Sequence, residues 1–487
     1  MVVIGLDIGT TGAKALAVEE TGRVAGRGYR EYALHAGEGG QVTQDAEDWW
    51  AAAAAAVRAA TEECGPDAVA AISLSTQGAS MLAVDERGRP LCPVLTWMDR
   101  RAVEEAALLG ARLGEETFYR KSGWPLSATL DAAKILWLRR NRPEVFRRAA
   151  GFLSTLEFLH LRLTGQAVTD PSNAAIRQLT DMRAGRWDEE ILEAVGIDER
   201  RLPALLPTGA PVGCLTAEAA EELGLPPSVP VFNGAHDQYC AALGSGALRA
   251  GDMLLATGTT WVVLGVTERP LYTASRVSPG VHPAGGYGAI ASLVSAGSAL
   301  KWYKNLIADD FLRMDSRAAG RARSAAGLLV YPYLAGAGFP HNRPDARASV
   351  LGLEMRHDRY DLARAFMEGV AFETRLALEE FSRRGMEVSR LTMTGGAARS
   401  RVWSEIVGYV TGREIGRMQE PEACCMGAAM VAGIGAGWWG AYAEAAAALV
   451  RVEPLALPDA DMAGFYREKA EEYYRHLPFG GGKGVAV

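Results

Sequence analysis

The stretch VFNGAHDQYCAALGSGALRAGDMLLATGTTW, residues 231–261, decides how this chain is read. An apolar run from Val229 to Phe232 ends in Asn233-Gly234-Ala235-His236-Asp237-Gln238, and a small-residue helix, Tyr239 to Leu243, follows. A second strand, Met253 to Ala256, enters the turn Thr257-Gly258-Thr259-Thr260. One short segment thus sets a carboxylate, Asp237, at a strand-to-helix junction and a Gly/Thr turn behind it. Glycine lets such a turn bend sharply and leaves room for a phosphate. Successive backbone N–H groups and threonine hydroxyls can then hold the phosphate oxygens.

The N-terminus supplies a partner. Val2 to Lys14 reads as a buried strand, a Gly/Thr turn and a return strand. Leu6-Asp7-Ile8-Gly9-Thr10-Thr11 and Leu255-Ala256-Thr257-Gly258-Thr259-Thr260 share the pattern Leu-x-x-Gly-Thr-Thr. Either copy alone reads as an ordinary hairpin turn. Its recurrence near the start of each half predicts two homologous lobes, each opening with a phosphate-binding hairpin. Asp7 and Asp237 are carboxylates at strand ends. In a magnesium–nucleotide site one carboxylate can orient the metal's water shell, and another can accept the proton of an attacking hydroxyl. Lys14 is placed either to reach a phosphate or to stand as a solvated strand lysine.

At 487 residues the chain is long enough for two or three domains. With 49% hydrophobic and 22% charged residues it reads as a soluble globular protein. A net charge of -7 argues against a broad nucleic-acid-binding face. No uninterrupted apolar run is long enough to span a bilayer, and the opening strand leaves no secretory signal visible. The expectation is a cytoplasmic protein with neither nucleic-acid nor membrane partners. Cys64, Cys92, Cys214, Cys240, Cys424 and Cys425 lack metal-ligand spacing and read as reduced thiols.

Elsewhere, Asp45 is placed to cap a long alanine-rich helix. Ala68 to Leu74 reads as a buried strand running into the turn Ser75 to Ser80. Met81 to Val84 and Val94 to Trp97 read as further strands. Ala102 to Arg148 is mainly helical, with Ala132 to Leu138 amphipathic. Phe152 to Leu163 reads as a helix and Thr169 to Ala174 as a polar loop. Gln77, Trp97, Asp99 and Arg101 fall at strand ends, where open α/β sheets bind ligands. Gln and Asp suit sugar hydroxyls, and Trp suits a sugar's apolar face; the alternative is a solvated loop with a core Trp. In the second half, Gly327 to Leu334 reads as a strand and Asp361 to Arg384 as a long buried helix. The strand Arg390 to Thr394 meets Gly395-Gly396-Ala397, whose bare backbone offers a seat for a flat ring such as adenine. Glu422 to Gly435 is a Gly/Ala-rich helix suited to close packing on a sheet. Gly480 to Gly484 lacks the spacing of a phosphate loop and reads as a mobile tail.

These motifs together resemble the FGGY family of carbohydrate kinases, in the actin/hexokinase/Hsp70-like superfamily. Asp7 to Thr11 looks like the family's first phosphate motif and Ala256 to Thr260 like its second. Gly234 to Gln238 resembles the segment whose Asp is the catalytic base. Thr394-Gly395-Gly396-Ala397 with Trp403 resembles the adenosine motif, and Glu422-Ala423 with Gly427-Ala428-Ala429 the helix after it. Tyr333 to Gly336, Pro340, Pro344 to Arg347 and Gly352-Leu353 resemble the second family signature.

The resemblance implies an α/β fold of two ribonuclease-H-like lobes, residues 1–246 and 247–487, with ATP and sugar meeting in the cleft between them. It implies transfer of the γ-phosphoryl group to a primary hydroxyl of an open-chain sugar. A ketopentose such as xylulose is the first expectation; gluconate or another sugar acid or polyol is the second. Asp237 would be the base, and Asp7 with Asp237 would attend Mg²⁺. Gly9, Thr10, Thr11, Lys14, Gly258, Thr259 and Thr260 would hold phosphates, and Gly395, Gly396 and Ala397 adenosine. Gln77, Gly78, Trp97, Asp99, Asp237 and Gln238 would hold the sugar. A homodimer is a family-level expectation.

Three departures bear on the acceptor. Ala337-Gly338 stand where many members carry Glu-Arg. Gly78-Ala79 stand where glycerol kinases carry Arg-Glu and typical xylulokinases Met-His. Trp97-Met98-Asp99 is closer to the Trp-x-Asp/Asn of the xylulokinase and gluconokinase branches. Two rivals come from other classes. An actin-like ATPase switch would explain the repeated turns but not Asp237-Gln238 or the set near Gln77. A sugar-binding regulator without catalysis would not need both Asp7 and Asp237.

Overall fold

Val2–Ile8 (β1) is apolar except at Gly5 and Asp7 and is buried along its whole length. Such a run seeks a position covered on both faces. In the computed structural model, which describes residues 1–455 and 460–479, β1 lies inside a six-stranded sheet. The glycine-rich segment Gly480 to Gly484 lies outside the described residues. The other strands of this sheet are β2 (Gly12–Val18), β3 (Val24–Glu31), β4 (Val69–Thr76), β5 (Pro211–Cys214) and β6 (Pro230–His236), in the order β5-β6-β4-β1-β2-β3. β1, β4 and β6 run parallel, whereas β1, β2 and β3 form an antiparallel meander.

The second half repeats the plan. Its strands are β7 (Asp252–Thr257), β8 (Trp261–Thr267), β9 (Ser278–Val281), β10 (Tyr287–Leu293), β11 (Arg390–Gly395), β12 (Ile415–Met418) and β13 (Val452–Leu455). They lie in the order β9-β10-β8-β7-β11-β12-β13. Here β7, β11 and β12 are parallel and β7, β8 and β10 antiparallel. Without the edge strands β5, β9 and β13 the two orders coincide. This is the two-lobed α/β architecture of actin- and Hsp70-type ATPases, and the repeated Leu-x-x-Gly-Thr-Thr falls on the β1–β2 turn and its counterpart β7–β8.

Seven helices matter for the site: α1 (Ala46–Thr61), α2 (Asp131–Asn141), α3 (Pro171–Ile176), α4 (Asp237–Gly244), α5 (Arg359–Arg383), α6 (Arg401–Thr411) and α7 (Ala423–Gly435). Asp45 caps α1 by accepting from the Glu47 N–H. α7 comes from the second half of the chain but seals the sheet of the first. A Cβ on Gly5 of β1 would fall 1.9 Å from the Cys425 carbonyl oxygen. On Gly427 it would fall 1.9 Å from the Cys240 carbonyl, and on Gly244 2.0 Å from that of Ala423. Backbone thus touches backbone where α4, α7 and β1 meet. Met426 and Met430 of α7 pack with Val3, Leu16, Val18 and Phe232 of the sheet.

The structure corrects several sequence readings. α2 is not amphipathic: Asp131 to Leu136 and Leu138 are all buried. Its polar residues turn inward because partners meet them there. Lys134 Nζ donates to the carbonyls of Ala79, Leu95 and Thr96 at 2.7, 3.1 and 2.7 Å, and Asp131 accepts from Arg177 at 2.7 Å. Thr169 to Ala174 is not a polar loop; Asp170 caps the buried helix α3, accepting from the N–H groups of Ser172 and Asn173. The signal was present, since Pro171 sits where helices tolerate proline. The strand expected over Gly327 to Leu334 shrinks to Leu329–Tyr331, before Pro332, which has no N–H to give a ladder. Val94–Leu95 is strand, but Trp97 lies in the loop beyond it. Among the described residues no helix is long and apolar enough to cross a membrane.

Candidate active site

β1 ends at the first hairpin, and Asp7 stands one residue before its end. Its register partner on β2 is Lys14. Ser75 at the end of β4 donates to Asp7 Oδ1 at 2.7 Å. Burial pushes the Asp7 carboxyl up to about 7; the charges of Asp237 and Glu422 add to this, while the Ser75 hydrogen bond and Lys14 oppose it. Lys14 is drawn off by a second-lobe partner, Glu422, at 2.6 Å. Burial lowers the Lys14 pKa, but the Glu422 hydrogen bond and charge outweigh it and leave the pKa raised. The turn is braced on its far side: the Thr10 carbonyl accepts from Gln44 at 2.7 Å and its hydroxyl from the Trp97 indole at 3.0 Å. The Gly9 carbonyl accepts from the Tyr32 hydroxyl, and Thr11 is exposed.

Asp237 opens α4 directly after β6, with His236 as the N-cap residue. Asp237 Oδ1 is buried without a hydrogen-bond partner. His236 Nε2 lies 3.2 Å from it without an aligned hydrogen bond. Gly78 makes room for that imidazole, since a Cβ there would come 2.7 Å from its Cδ2. Gln77 Oε1 and Gln238 Oε1 are likewise buried acceptors without a protein partner. Unpartnered acceptors suit a ligand rich in hydroxyl donors. Trp97 is 41% exposed, although its indole N–H is engaged. Asp99 is different. It is fully buried, and its oxygens accept from the Arg101 guanidinium at 2.7–3.0 Å and from the Val42 N–H at 2.8 Å.

The second hairpin is neutral where the first is charged. Its register pair Ala256 and Val262 occupies the place of Asp7 and Lys14. Gly258 and Thr259 are exposed. Thr257 welds this turn to the Gly395–Ala397 turn: its hydroxyl donates to the Thr394 carbonyl at 2.6 Å and accepts from the Ala397 and Ala398 N–H groups at 3.0 and 3.3 Å. Gly395 has φ +87°, and a Cβ there would meet the Thr257 carbonyl oxygen at 2.8 Å, so the position requires glycine. Trp403 points into the core, donating to the Met367 carbonyl at 3.1 Å and packing on Trp261. Sequence reasoning passed over Gln44, Ser75, Lys134 and, as a separate contributor, Thr257. Only Thr257 carried a signal, its place inside the repeated motif.

The two lobes also clasp each other beside these groups. Tyr119 donates to the Val277 carbonyl at 2.6 Å, Tyr272 to that of Arg120 at 2.9 Å, and Arg276 pairs with Glu116 at 2.7 Å. A surface hollow of about 750 Å³ near Arg87, Arg162 and Arg201 contains none of the candidate residues. No cluster of three or more His, Cys, Asp or Glu able to hold a metal occurs among the described residues. The Asp7–Asp237 pair could still attend a small hard cation, because Mg²⁺ keeps several waters and takes only one or two carboxylates beside phosphate.

The N-terminal domain model of the FGGY family of carbohydrate kinases matches residues 2–244, and the C-terminal domain model matches residues 253–436. The chain belongs to the FGGY family of carbohydrate kinases. Within it, the protein falls in the xylulokinase/gluconokinase-like branch. A xylulose kinase of Escherichia coli is 29% identical over 479 residues, covering 97% of this chain and 98% of the relative. A gluconokinase of Bacillus subtilis is 28% identical over 445 residues, covering 88% of this chain and 86% of the relative. The solved xylulose kinase of Rhodospirillum rubrum superposes with a TM-score of 0.88 at 30% identity, covering 98% of both chains.

Proposed function

We propose that this FGGY kinase transfers the γ-phosphoryl group of magnesium-bound ATP to a primary hydroxyl of an open-chain sugar, with a ketopentose such as xylulose as the acceptor. One observation carries the reading. Asp7 and Asp237 stand at the same edge of the first sheet: Asp7 pairs in register with Ser75 of β4, and Ala235 and His236, which lead into Asp237, pair with Ser75 and Thr76 of the same strand. Phosphoryl transfer asks a protein mainly for positioning and charge stabilisation. Asp237 accepts the proton of the attacking hydroxyl through its unpartnered Oδ1. Gln77 and Gln238 accept from other hydroxyls of the acceptor, and the exposed face of Trp97 covers its apolar side. The Gly9–Thr11 and Gly258–Thr260 turns hold phosphate oxygens by their N–H groups and hydroxyls. Gly395 to Ala397 form the seat for the base. Bound Mg²⁺ supplies neutralisation of phosphate charge, and Asp7 is the group that would orient its waters.

Gluconate is the second reading, favoured by the gluconokinase relatives and by Gly78-Ala79 in place of the Met-His of typical xylulokinases. ADP release from Mg-ATP across ketoses, gluconate, linear polyols and glycerol tests both readings. Release with one acceptor names the substrate; release that ignores the acceptor points to an ATPase switch.

Two further outcomes are expected. Thr257→Val leaves the N–H groups of Ala397 and Ala398 without their acceptor, a loss of about 1–3 kcal/mol for a buried group. The KM for ATP should rise about 5- to 150-fold on that basis, with the sugar KM nearly unchanged. A rise in the sugar KM alone would contradict the assignment. Asp7 gives a pH signature. Its carboxyl is raised from 3.8 to about 7 in the folded protein. Folding therefore favours the protonated form, and the contribution is fully present below pH 4 and lost as pH rises towards 7. Asp7→Asn should flatten the fall in melting temperature of the ligand-free protein between pH 5 and 8. An identical pH profile in the variant would show that Asp7 titrates normally.

A further inference from the structure

Gln44 is almost fully buried and belongs to neither phosphate turn nor sugar wall, yet it touches both. Its Nε2 donates to the Thr10 carbonyl at 2.7 Å. Its Oε1 accepts from the Trp49 indole N–H at 3.1 Å and from Gln77 Nε2 at 3.1 Å. An indole N–H can only donate and a carbonyl can only accept. The Trp49 and Thr10 contacts therefore fix which way the Gln44 amide points. A fixed Gln44 oxygen then compels Gln77 to present its NH₂ inward, and the Gln77 oxygen becomes the free, buried end. The network extends to Trp97, whose indole donates to the Thr10 hydroxyl at 3.0 Å. That hydroxyl's acceptor side is thus occupied, and its own proton is left for a phosphate oxygen.

We infer that Gln44 is a positioning residue that makes the sugar wall and the first phosphate turn one hydrogen-bonded unit, fixing Gln77 as an acceptor towards the sugar and coupling sugar binding to nucleotide binding. The inference rests on the proposed sugar-kinase reading. Bound sugar tightens Gln77 against Gln44, and Gln44 holds the Thr10 carbonyl and with it the turn. A ligand hydroxyl at Gln77 must be a donor there, so an acceptor sugar lacking that hydroxyl loses both affinity and coupling.

Calorimetric titration of Mg-ADP, with and without saturating xylulose or gluconate (whichever supports wild-type turnover), reads the coupling directly. The wild type should bind Mg-ADP at least about 5-fold tighter in the presence of the sugar, the lower end of usual coupling between sites. In Gln44→Met the ratio should fall below about 2, with Mg-ADP affinity in the absence of sugar little changed. Gln44→Glu is nearly isosteric and changes the hydrogen-bonding pattern of the position with little change of shape. It keeps an acceptor for Trp49 and Gln77 but sets oxygen against the Thr10 carbonyl, so it should lose coupling, and because coupling is reciprocal the tightening of sugar binding by Mg-ADP should fall by the same factor. A wild-type ratio near one, or a ratio retained in a Gln44 variant with a wild-type melting transition, overturns the inference. Absence of turnover with every acceptor in the panel strikes the proposed activity itself, which separates the two failures.

Discussion

Replacing Asp237 with asparagine should lower sugar-dependent turnover by about 10²–10⁴-fold, the range that general acid–base catalysis contributes. Asparagine keeps the shape of the side chain at the head of α4 but removes its charge and its ability to take a proton. Nothing else nearby replaces it readily. Asp7 is engaged by Ser75, and in the proposed reading it attends Mg²⁺. His236 lies beside Asp237 Oδ1 without an aligned hydrogen bond. The loss should therefore fall on kcat, with the KM for Mg-ATP changed little, because the proposed reading assigns the nucleotide to the two turns and the Gly395–Ala397 seat. Turnover and nucleotide KM measured side by side in Asp237→Asn and Asp237→Ala decide the matter. Near-wild-type turnover in both variants would mean that the base lies elsewhere.

The second large effect concerns the fold. Gly427→Val should destabilise the protein by about 3 kcal/mol or more, at or beyond the usual upper end for overpacking a core. A Cβ alone would stand 1.9 Å from the Cys240 carbonyl oxygen and 2.6 Å from its carbon. Backbone atoms cannot rotate aside as a flexible side chain would. Relief needs α7 to move away from α4, which also loosens its contact with β1 at Gly5. Poor soluble yield or a sharply lowered melting temperature is the expected result. A variant melting within a degree of the wild type would show that this junction is looser than its backbone contacts imply. Gly464→Val, at an open position where a Cβ would meet nothing within 4 Å, is the natural control.

What the sequence disclosed was local. Asp7, Asp237 and both Gly/Thr turns were legible because each motif is contiguous and the pattern occurs twice. The lobes followed from that repetition, and the sheet orders agree with it. Residues satisfied from far along the chain were not legible. Lys134 meets carbonyls some forty to fifty-five positions away, so periodicity alone made α2 look half-exposed. Gln44 reaches Thr10 and Gln77 across about thirty residues each way. Asp170-Pro171-Ser172 looked like a loop because its polar side chains were assumed to seek water, whereas they cap one another inside the lobe. Asp99 looked free for a ligand; in the fold its oxygens accept from Arg101 and Val42.

The placement of α7 also bears on how the protein is made. The face of the first sheet carrying Val3, Leu16, Val18 and Phe232 is closed by residues of α7. On the ribosome, the strands bearing that face are complete roughly 200 residues before Gly435 is added. At about 5–20 residues per second that is a delay of roughly 10–40 s. During this interval the nascent lobe holds an unsealed apolar surface, so its final closure awaits synthesis of its sister. The two sheets repeat one plan, but the polypeptide matures as one.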